Sequence, residues 1–284
     1  MSDDLKMKKR VLALYLIIVF VISAPIEAIW IHFGEAAAST AALLMLVPAI
    51  VAIILKLKFF RKQSMLGLGA GKPVYYLYAI VFPLAYIGLS YTIYWLFAPG
   101  AYVGTGVLIE VVSRVLSIQN LPVAVLAVFS ISILGNIPFT FGEEVGWRGL
   151  MYPIMQTLWG RNRALVISGG IWAVWHLPPL VGGVYMAGAP ILYQIPMFVI
   201  QILALTVVVS WLRMRSNSVW PAVIWHALHN FLDQFVFRSM TSVENSSYFI
   251  SETGFITTLC AVLLAVLILV FGKFENGMRI NAKS

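Results

Sequence analysis

Three short stretches of the sequence place ionisable side chains inside otherwise apolar runs. They read GEEVGWRG at 142–149, WAVWHLPP at 172–179 and WHALHNFLD at 225–233. A carboxylate beside an imidazole can hold a water molecule and accept its proton, and a second imidazole with an amide can stabilise a developing oxyanion. The side chains that could do this chemistry together are Glu143, His176, His226 and Asn230.

Helical spacing separates the two adjacent glutamates. Glu144 and Arg148 are four residues apart with the acid first, which is the favourable order for a salt bridge on one helix face. Glu143 then points about 100° away around the helix and is available to other groups. The spacing therefore predicts a structural pair, Glu144 with Arg148, and a separate functional carboxylate.

The other ionisable groups show similar patterns. Residues four apart share a helix face, and the pairs of this kind are Trp172 with His176, His226 with Asn230, and His229 with Asp233. We expect the last pair to be structural. Glu27, two residues after Pro25, is predicted either to line the cavity or to lie, together with His32, near the outer membrane interface.

The composition indicates the solvent in which these groups lie. The chain has 284 residues, of which 61% are hydrophobic and 11% charged, and its mean hydropathy is +0.92. A soluble domain of this size needs far more charge on its surface. We therefore predict an integral membrane protein. In a bilayer each charged residue costs about 2.5–3.5 kcal/mol, so buried charges of this kind are usually functional.

Apolar runs of about 20 residues are long enough to cross a bilayer as helices. The predicted fold is all-α, a polytopic bundle of about eight transmembrane helices in one membrane domain, 1–284. The predicted spans are 11–33, 36–55, 73–97, 121–143, 164–181, 191–212, 219–237 and 255–272.

Basic residues cluster on one side of these spans, at both termini and in the even-numbered connections, and leave Arg114 and Arg238 on the other side. By the positive-inside rule both termini are predicted to be cytoplasmic, in the plasma membrane if the source is prokaryotic. The 98–120 segment is predicted to be an amphipathic helix on the outer surface. The aromatic and basic residues at 147–161 suggest an inner interface.

Several classes of function find no support in the sequence. The formal net charge of +8 comes from clusters between apolar runs, not from a basic stripe, so nucleic acid is not an expected partner. The single cysteine, Cys260, excludes an intrachain disulfide and a Cys-rich metal site. Neither a phosphate-binding glycine loop nor an HExxH motif is present. The expected partners are the lipid bilayer and a membrane-anchored peptide or protein substrate.

Three motifs carry a family resemblance. EEVGWR at 143–148 matches EExxxR, WAVWH at 172–176 resembles FxxxH, and HALHN at 226–230 matches HxxxN, in order and on separate predicted spans. The sequence is similar to the CAAX protease and bacteriocin-processing enzyme family, also called the CPBP or Abi family, which includes the CAAX prenyl endopeptidases. The resemblance covers roughly 120–235, the predicted catalytic core.

This resemblance implies roles for the motif residues. Glu143 would be the general base that holds the water, with His176 as its partner, and His226 with Asn230 would form the oxyanion pocket. Glu144 and Arg148 would support that segment. Trp172 stands where the family usually has phenylalanine, and we expect the cavity wall to be preserved because both side chains are large and aromatic.

The resemblance leaves two possibilities for a cofactor, because the family is described both as metalloproteases and as glutamate-dependent proteases. The sequence fits the second description better, so no cofactor is expected. The alternative is a zinc ion held by Glu143, His176 and His226.

The resemblance implies an intramembrane endopeptidase that cleaves a membrane-associated or prenylated CAAX-type peptide close to the cytoplasmic face. One alternative is a transporter or channel whose buried acids and histidines relay protons or bind cations, although no inverted repeat is evident. Another is a non-catalytic immunity or scaffold protein.

Overall fold

The computed structural model describes residues 2–106, 109–110, 121–186, 188–242 and 246–274. Nearly all the secondary structure in these ranges is helical, and an isolated antiparallel bridge joins Tyr102 to Thr241. The α-helices are α1 (Asp3–Phe33), α2 (Ser39–Phe59), α3 (Val74–Phe97), α4 (Leu121–Glu144), α5 (Tyr152–Trp159), α6 (Arg161–Val181), α7 (Ile191–Ser216), α8 (Trp220–Phe231) and α9 (Phe255–Phe271). Two π-helical segments, Val145–Met151 and Leu232–Phe237, follow α4 and α8, and short 3₁₀ turns occupy Gly34–Ala37 and Ser246–Tyr248.

The predicted all-α membrane fold is confirmed. Five helices of the described residues, α1, α2, α3, α6 and α7, are long and apolar enough to cross a membrane, and α9 is a shorter apolar helix. A helix satisfies its own backbone hydrogen bonds, so a long apolar segment in lipid adopts this form. Each of the eight predicted spans coincides with a helix, the seventh with α8 and its π segment. That all eight cross the membrane stays a prediction. Most of the predicted 98–120 surface helix lies outside the described residues.

Helix α7 lies at the centre of the bundle. It packs against α6, α8 and α9, and all its residues from 204 to 214 are buried, on every face of the helix. A helix that is apolar all round needs neighbours on all sides. The other helices therefore surround α7 and hold the three motif segments close to one another.

Both described ends of the chain lie at one end of the bundle, which we call the terminal end. There the Arg10 guanidinium, near the start of α1, lies 6.0 Å from the centre of the Phe59 ring at the end of α2. Arg161, at the start of α6, lies 5.5 Å from the ring of Phe274, just after α9. The same end holds the 60–73 connection, whose residue 72 donates a backbone hydrogen bond to Ser216.

The opposite end, which we call the distal end, contains the connections after α6 and before α9. Trp95, near the end of α3, donates a hydrogen bond of 2.9 Å to Thr241. Tyr193, near the start of α7, donates one of 2.5 Å to the carbonyl oxygen of Tyr248. Helices α1, α3, α6 and α8 therefore run from the terminal end to the distal end.

Residues 145–156 lie inside the bundle, so the interpretation of 147–161 as an inner interface is wrong for this part, whereas Trp159 and Arg161 are partly exposed. Trp147, Arg148 and Tyr152 are at most 2% exposed. The Trp147 ring makes edge contacts with Tyr15 of α1 and Trp175 of α6. Arg148 consequently does not belong among the basic residues at the terminal face. Arg148 instead forms a buried salt bridge with Glu144 inside the bundle. Composition does not reveal such a tertiary contact.

Glycines allow α4 and the π segment after it to approach α2 closely. A Cβ at Gly142 would overlap the carbonyl oxygen of Met45 and lie 2.9 Å from the Cα of Leu46. A Cβ at Gly146 would overlap Pro48 and the Tyr15 hydroxyl. This contact places the glutamates between the two glycines against the rigid backbone of α2.

We predict that Gly142→Ala lowers the free energy of unfolding by about 1–3 kcal/mol, because the added methyl meets backbone that cannot give way. Gly135→Ala in the same helix is the control. A Cβ there has no atom within 4 Å among the described residues, and alanine improves helix propensity by up to about 1 kcal/mol. Thermal unfolding of both purified variants in detergent measures the difference. Equal unfolding temperatures would contradict the close approach.

Candidate active site

A cavity of about 450 Å³ opens between the helices that carry the motifs. The four candidate catalytic residues, Glu143, His176, His226 and Asn230, all line it, as does Trp172. Residues outside 120–235 also contribute to the wall, among them Trp30, Met45 and Glu252. The fold thus brings side chains from α4, α6 and α8 to one cavity, as the chemistry of the motifs requires.

Glu143 lies at the penultimate position of α4 and is 1% exposed. Its Oε2 accepts a hydrogen bond of 2.8 Å from the indole Nε1 of Trp172. Among the described residues this is its one hydrogen-bond partner. A carboxylate has about four acceptor sites, so Glu143 retains capacity for a further donor on the cavity side.

Trp172 does more than form the wall of the cavity. Besides its bond to Glu143, its ring lies under the Arg148 guanidinium, 3.9 Å from the ring centre, in a cation–π contact. Its ring also makes edge contacts with His176 and His226, at centroid separations of 5.7 and 5.6 Å. A phenylalanine here would keep the ring contacts and lose the hydrogen bond, because it has no N–H.

The orientation of His176 identifies its neutral tautomer. Its Nδ1 lies 2.9 Å from the carbonyl oxygen of Trp172, one helical turn earlier. A carbonyl oxygen can only accept, so Nδ1 carries the proton and Nε2 of the neutral ring is an acceptor. His176 is half-buried and lines the cavity. It can therefore accept a hydrogen bond from a water or a substrate.

Glu144 links two cationic or potentially cationic partners inside the bundle. Its Oε1 accepts from Arg148 Nη1 at 3.0 Å, the contact that their spacing predicts. The same oxygen lies 2.9 Å from Nδ1 of His226 on α8. The second contact was not foreseen, since residues 82 positions apart share no local spacing. Glu144 is fully buried, so this pairing offsets a large desolvation cost.

His226 and Asn230 lie one turn apart on α8 and line the same cavity. Because a carboxylate can only accept, the Glu144 contact places a proton on His226 Nδ1 and leaves Nε2 for the cavity. Asn230 is half-buried, at the point where α8 approaches its π segment. Both side chains can therefore reach a ligand beside Glu143.

The side chains do not fit the zinc alternative. In the part of the chain that the structure describes, no three His, Cys, Asp or Glu side chains converge in a way that could hold a metal ion. The hydrogen bonds at Nδ1 of His226 and His176 leave both Nε2 atoms available, as in a histidine metal ligand, so they do not separate the two alternatives. A zinc site built from Glu143, His176 and His226 requires these side chains to converge further than they do here.

The predicted pair of His229 with Asp233 is not formed. Nδ1 of His229 contacts the Tyr86 hydroxyl, and its Nε2 lies 3.5 Å from Glu252. Asp233 instead accepts hydrogen bonds from Tyr91 and Ser251. The reason is tertiary, because the ring nitrogens of His229 and the carboxylate oxygens of Asp233 meet partners from α3 and from the 246–254 connection.

Glu252 is a second carboxylate in the cavity wall, and the motifs did not reveal it. It accepts from Tyr185 at 2.5 Å and from Gln234 at 2.9 Å. Burial raises the pKa of Glu252. The hydrogen bond and the charge of His229, together with the hydrogen bonds from Tyr185 and Gln234, outweigh burial and lower the pKa of Glu252 to about 2. Glu252 is therefore ionised at neutral pH. Its loop position, 22 residues beyond Asn230 at the end of the third motif, gave no periodic signal.

Glu27 is buried, at 6% exposure, and it is not among the described residues that line the cavity. It lies one turn after Ser23, which accepts a hydrogen bond from Trp175. His32, near the end of α1, is exposed, and its position with Glu27 near the outer membrane interface stays a prediction. The contacts of Glu27 assign it no role in the site.

Comparison with known proteins agrees with this geometry. Residues 118–232 match the family model described as type II CAAX prenyl endopeptidase, Rce1-like. The matched segment contains all three motifs. A CAAX prenyl protease 2 from Methanococcus maripaludis is 29% identical over 93 residues, which cover 31% of this chain and 34% of that protein. The match thus spans about a third of the relative's length.

The resemblance drawn from the three motifs is confirmed by this match. Glu143, Trp172, His176, His226 and Asn230, which line one cavity, all lie within the matched segment. Residues 118–232 are therefore similar to the Rce1-like CAAX prenyl endopeptidase family, as the motifs predicted.

Proposed function

We propose that this protein is an intramembrane endopeptidase that hydrolyses a peptide bond of a membrane-associated substrate. The observation that carries the proposal is the convergence of Glu143, His176, His226 and Asn230 on one cavity inside a membrane protein. The match of residues 118–232 to a family of CAAX prenyl endopeptidases supports the same reaction class. Peptide-bond hydrolysis needs a base, a water and stabilisation of an oxyanion, and these residues can supply the protein groups.

In this mechanism Glu143 is the general base. It holds a water through the carboxylate capacity that Trp172 leaves available. His176 accepts the second hydrogen bond of that water at Nε2, which orients it toward the scissile carbonyl carbon. Glu143 takes a proton as the water oxygen bonds to that carbon, and it then passes the proton to the leaving amine as the C–N bond breaks. The products are a carboxylic acid and an amine.

His226 and Asn230 stabilise the negative charge that develops on the carbonyl oxygen. The Asn230 amide donates directly. To donate from Nε2, His226 has to carry protons on both ring nitrogens, and the Glu144 carboxylate at 2.9 Å stabilises the positive charge of that form. In this proposal Glu144 acts on the reaction through His226, in addition to its structural pairing with Arg148.

We propose a prenylated CAAX-type chain as the substrate class. The support is the family description and the name of the archaeal relative, a CAAX prenyl protease. A lipid-anchored peptide lies at the membrane surface, and a cavity between transmembrane helices is accessible from that position. The proposed catalytic mechanism requires no metal ion.

The adjacent glutamates form a matched pair for a test. We predict that Glu143→Gln lowers the cleavage rate of a fluorogenic prenylated peptide by at least about 100-fold. Its unfolding temperature should stay close to that of the wild type, because the amide oxygen can still accept from Trp172. Glu144→Gln should instead destabilise the fold by about 3–5 kcal/mol, since Arg148 is left buried without a counter-charge. Full activity of Glu143→Gln would contradict its assignment as the base.

The partner of the base and the absence of a metal requirement are tested together. We predict that His176→Ala lowers the turnover number by about 100-fold or more, because the water loses its second acceptor.

The wild-type protein should keep its activity after dialysis against a chelator. Activity that is lost on chelation and restored by zinc would support the metal-dependent alternative and contradict this mechanism.

The indole N–H of Trp172 is predicted to position Glu143. Trp172→Phe keeps the ring and removes the donor, so we expect the turnover number to fall roughly tenfold while KM changes little. Trp175→Phe is the control on the same helix. Its indole donates to Ser23 and not to Glu143, so it should affect stability more than turnover. A change in KM alone for Trp172→Phe would instead indicate a wall that contacts substrate.

The transport alternative predicts a different result for the same variant. The described lining of the cavity comes from the middle and the distal end of the bundle, whereas a transport path also needs residues at the terminal end. Proton or cation flux into liposomes that contain the wild-type protein, lost in Glu143→Gln, would favour transport.

A further inference from the structure

A second polar cluster lies in the cavity wall, apart from the three motifs. Its centre is Glu252, which lies just before α9 and is 3% exposed. Its Oε2 accepts a hydrogen bond of 2.5 Å from the Tyr185 hydroxyl, and its Oε1 accepts one of 2.9 Å from Gln234. Nε2 of His229 lies 3.5 Å from the same Oε1. Glu252 therefore joins the connection after α6 to α8, to its π segment and to the connection before α9.

Tyr185 links this cluster to His176. The centroids of their rings lie 5.8 Å apart, and the ring planes are tilted by 36°. Both rings also contact Phe198 of α7, at centroid separations of 6.0 and 5.6 Å. The other ring contacts of His176 described by the structure, with Trp172 and Trp175, come from its own helix. The outer torsion of a histidine side chain has broad preferences, so the rings of Tyr185 and Phe198 limit how the imidazole can rotate.

Tyr185 and Phe198 are held in different ways. Phe198 is fully buried in α7, so its helix fixes its position. Tyr185 lies in the 182–190 connection, where Gly183 has a φ of 70° that favours glycine. A backbone hydrogen bond of 3.2 Å joins the Tyr185 N–H to Pro179. The position of its ring depends on the hydroxyl, which donates to the carboxylate of Glu252, and hydrogen bonds to an ionised acceptor are among the strong ones.

We propose that Glu252 and Tyr185 are positioning residues for His176. Glu252 holds the Tyr185 hydroxyl, and the Tyr185 ring holds the imidazole in the orientation that presents Nε2 to the cavity. The effect on rate rests on the proposed function, in which this Nε2 accepts from the attacking water and thereby sets its direction. The effect on the ring itself follows from packing alone. Glu252 lies outside the segment that matches the family model.

Tyr185→Phe tests the link, because it keeps the ring beside His176 and removes the donor to Glu252. Tyr193→Phe is the matched control. Tyr193 also donates a hydrogen bond of 2.5 Å to the connection before α9, at Tyr248, and it is not among the described residues that line the cavity. We expect Tyr185→Phe to lower the turnover number about tenfold with KM nearly unchanged, and Tyr193→Phe to change neither. Equal turnover in the two variants, or a change in KM alone for Tyr185→Phe, would overturn the proposal.

A second pair of variants tests the acceptor. Glu252→Ala removes it, whereas Glu252→Gln keeps an amide oxygen that can accept from Tyr185. We expect the turnover number to fall at least about tenfold in Glu252→Ala and to be several-fold higher in Glu252→Gln. Turnover in Glu252→Gln as low as in Glu252→Ala would show that the bond to Tyr185 is not what matters. If Glu252→Ala does not fold, the comparison of Tyr185→Phe with Tyr193→Phe decides.

The position of the His176 ring can be measured without any activity. The chain has four histidines, so the full-length protein in detergent, labelled with ¹³C-histidine, gives few imidazole signals by NMR. His176→Ala identifies the signal of His176. We expect this signal to shift or broaden in Tyr185→Phe and to stay in place in Tyr193→Phe. An unchanged signal in Tyr185→Phe would overturn the positioning role. If the signal shifts and the wild-type protein cleaves no prenylated peptide, the proposed hydrolysis fails while the positioning of His176 stands.

Discussion

The buried charge cluster of Glu144, Arg148 and His226 is the interaction on which the site depends. Three polar groups at 5% exposure or less in an apolar bundle carry a large desolvation cost, which only close pairing offsets. The pairing joins the end of α4, the π segment after it and α8. Because Arg148 also lies against the Trp172 ring, the cluster reaches α6 as well. Three helices are thereby held in one arrangement.

This arrangement places the Glu143 carboxylate at the cavity, beside the Trp172 indole. Its neighbour Glu144 is directed at Arg148, and the turn of the helix directs Glu143 toward α6, where the Trp172 indole donates to it. Glycines at 142 and 146 let the same segment rest against α2 without a side chain between them. The carboxylate therefore has a rigid support on one side and a cavity on the other, which is the condition for holding a water in a reactive geometry.

Local spacing predicted one polar pair and missed another. Four-residue spacing correctly predicted the contact of Glu144 with Arg148. It failed for His229 and Asp233, because Tyr86 and Glu252 contact His229 while Tyr91 and Ser251 donate to Asp233. A π segment follows each of α4 and α8, and such wide turns recur near functional sites. Here they flank the two motif segments at Glu143 and His226, and no residue type in the sequence marks where they begin.

The sequence by itself determined the membrane class, the helical runs and the residues whose types can perform hydrolysis, because hydrophobicity and helical period are local properties of the chain. It also revealed the family resemblance, since three motifs in order are readable without coordinates. Only the tertiary structure decided which partner each polar group takes. The contacts of His226 with Glu144, Trp172 with Glu143 and Glu252 with Tyr185 join residues 82, 29 and 67 positions apart. Such distances are closed by helix packing, so local spacing carries no information about them.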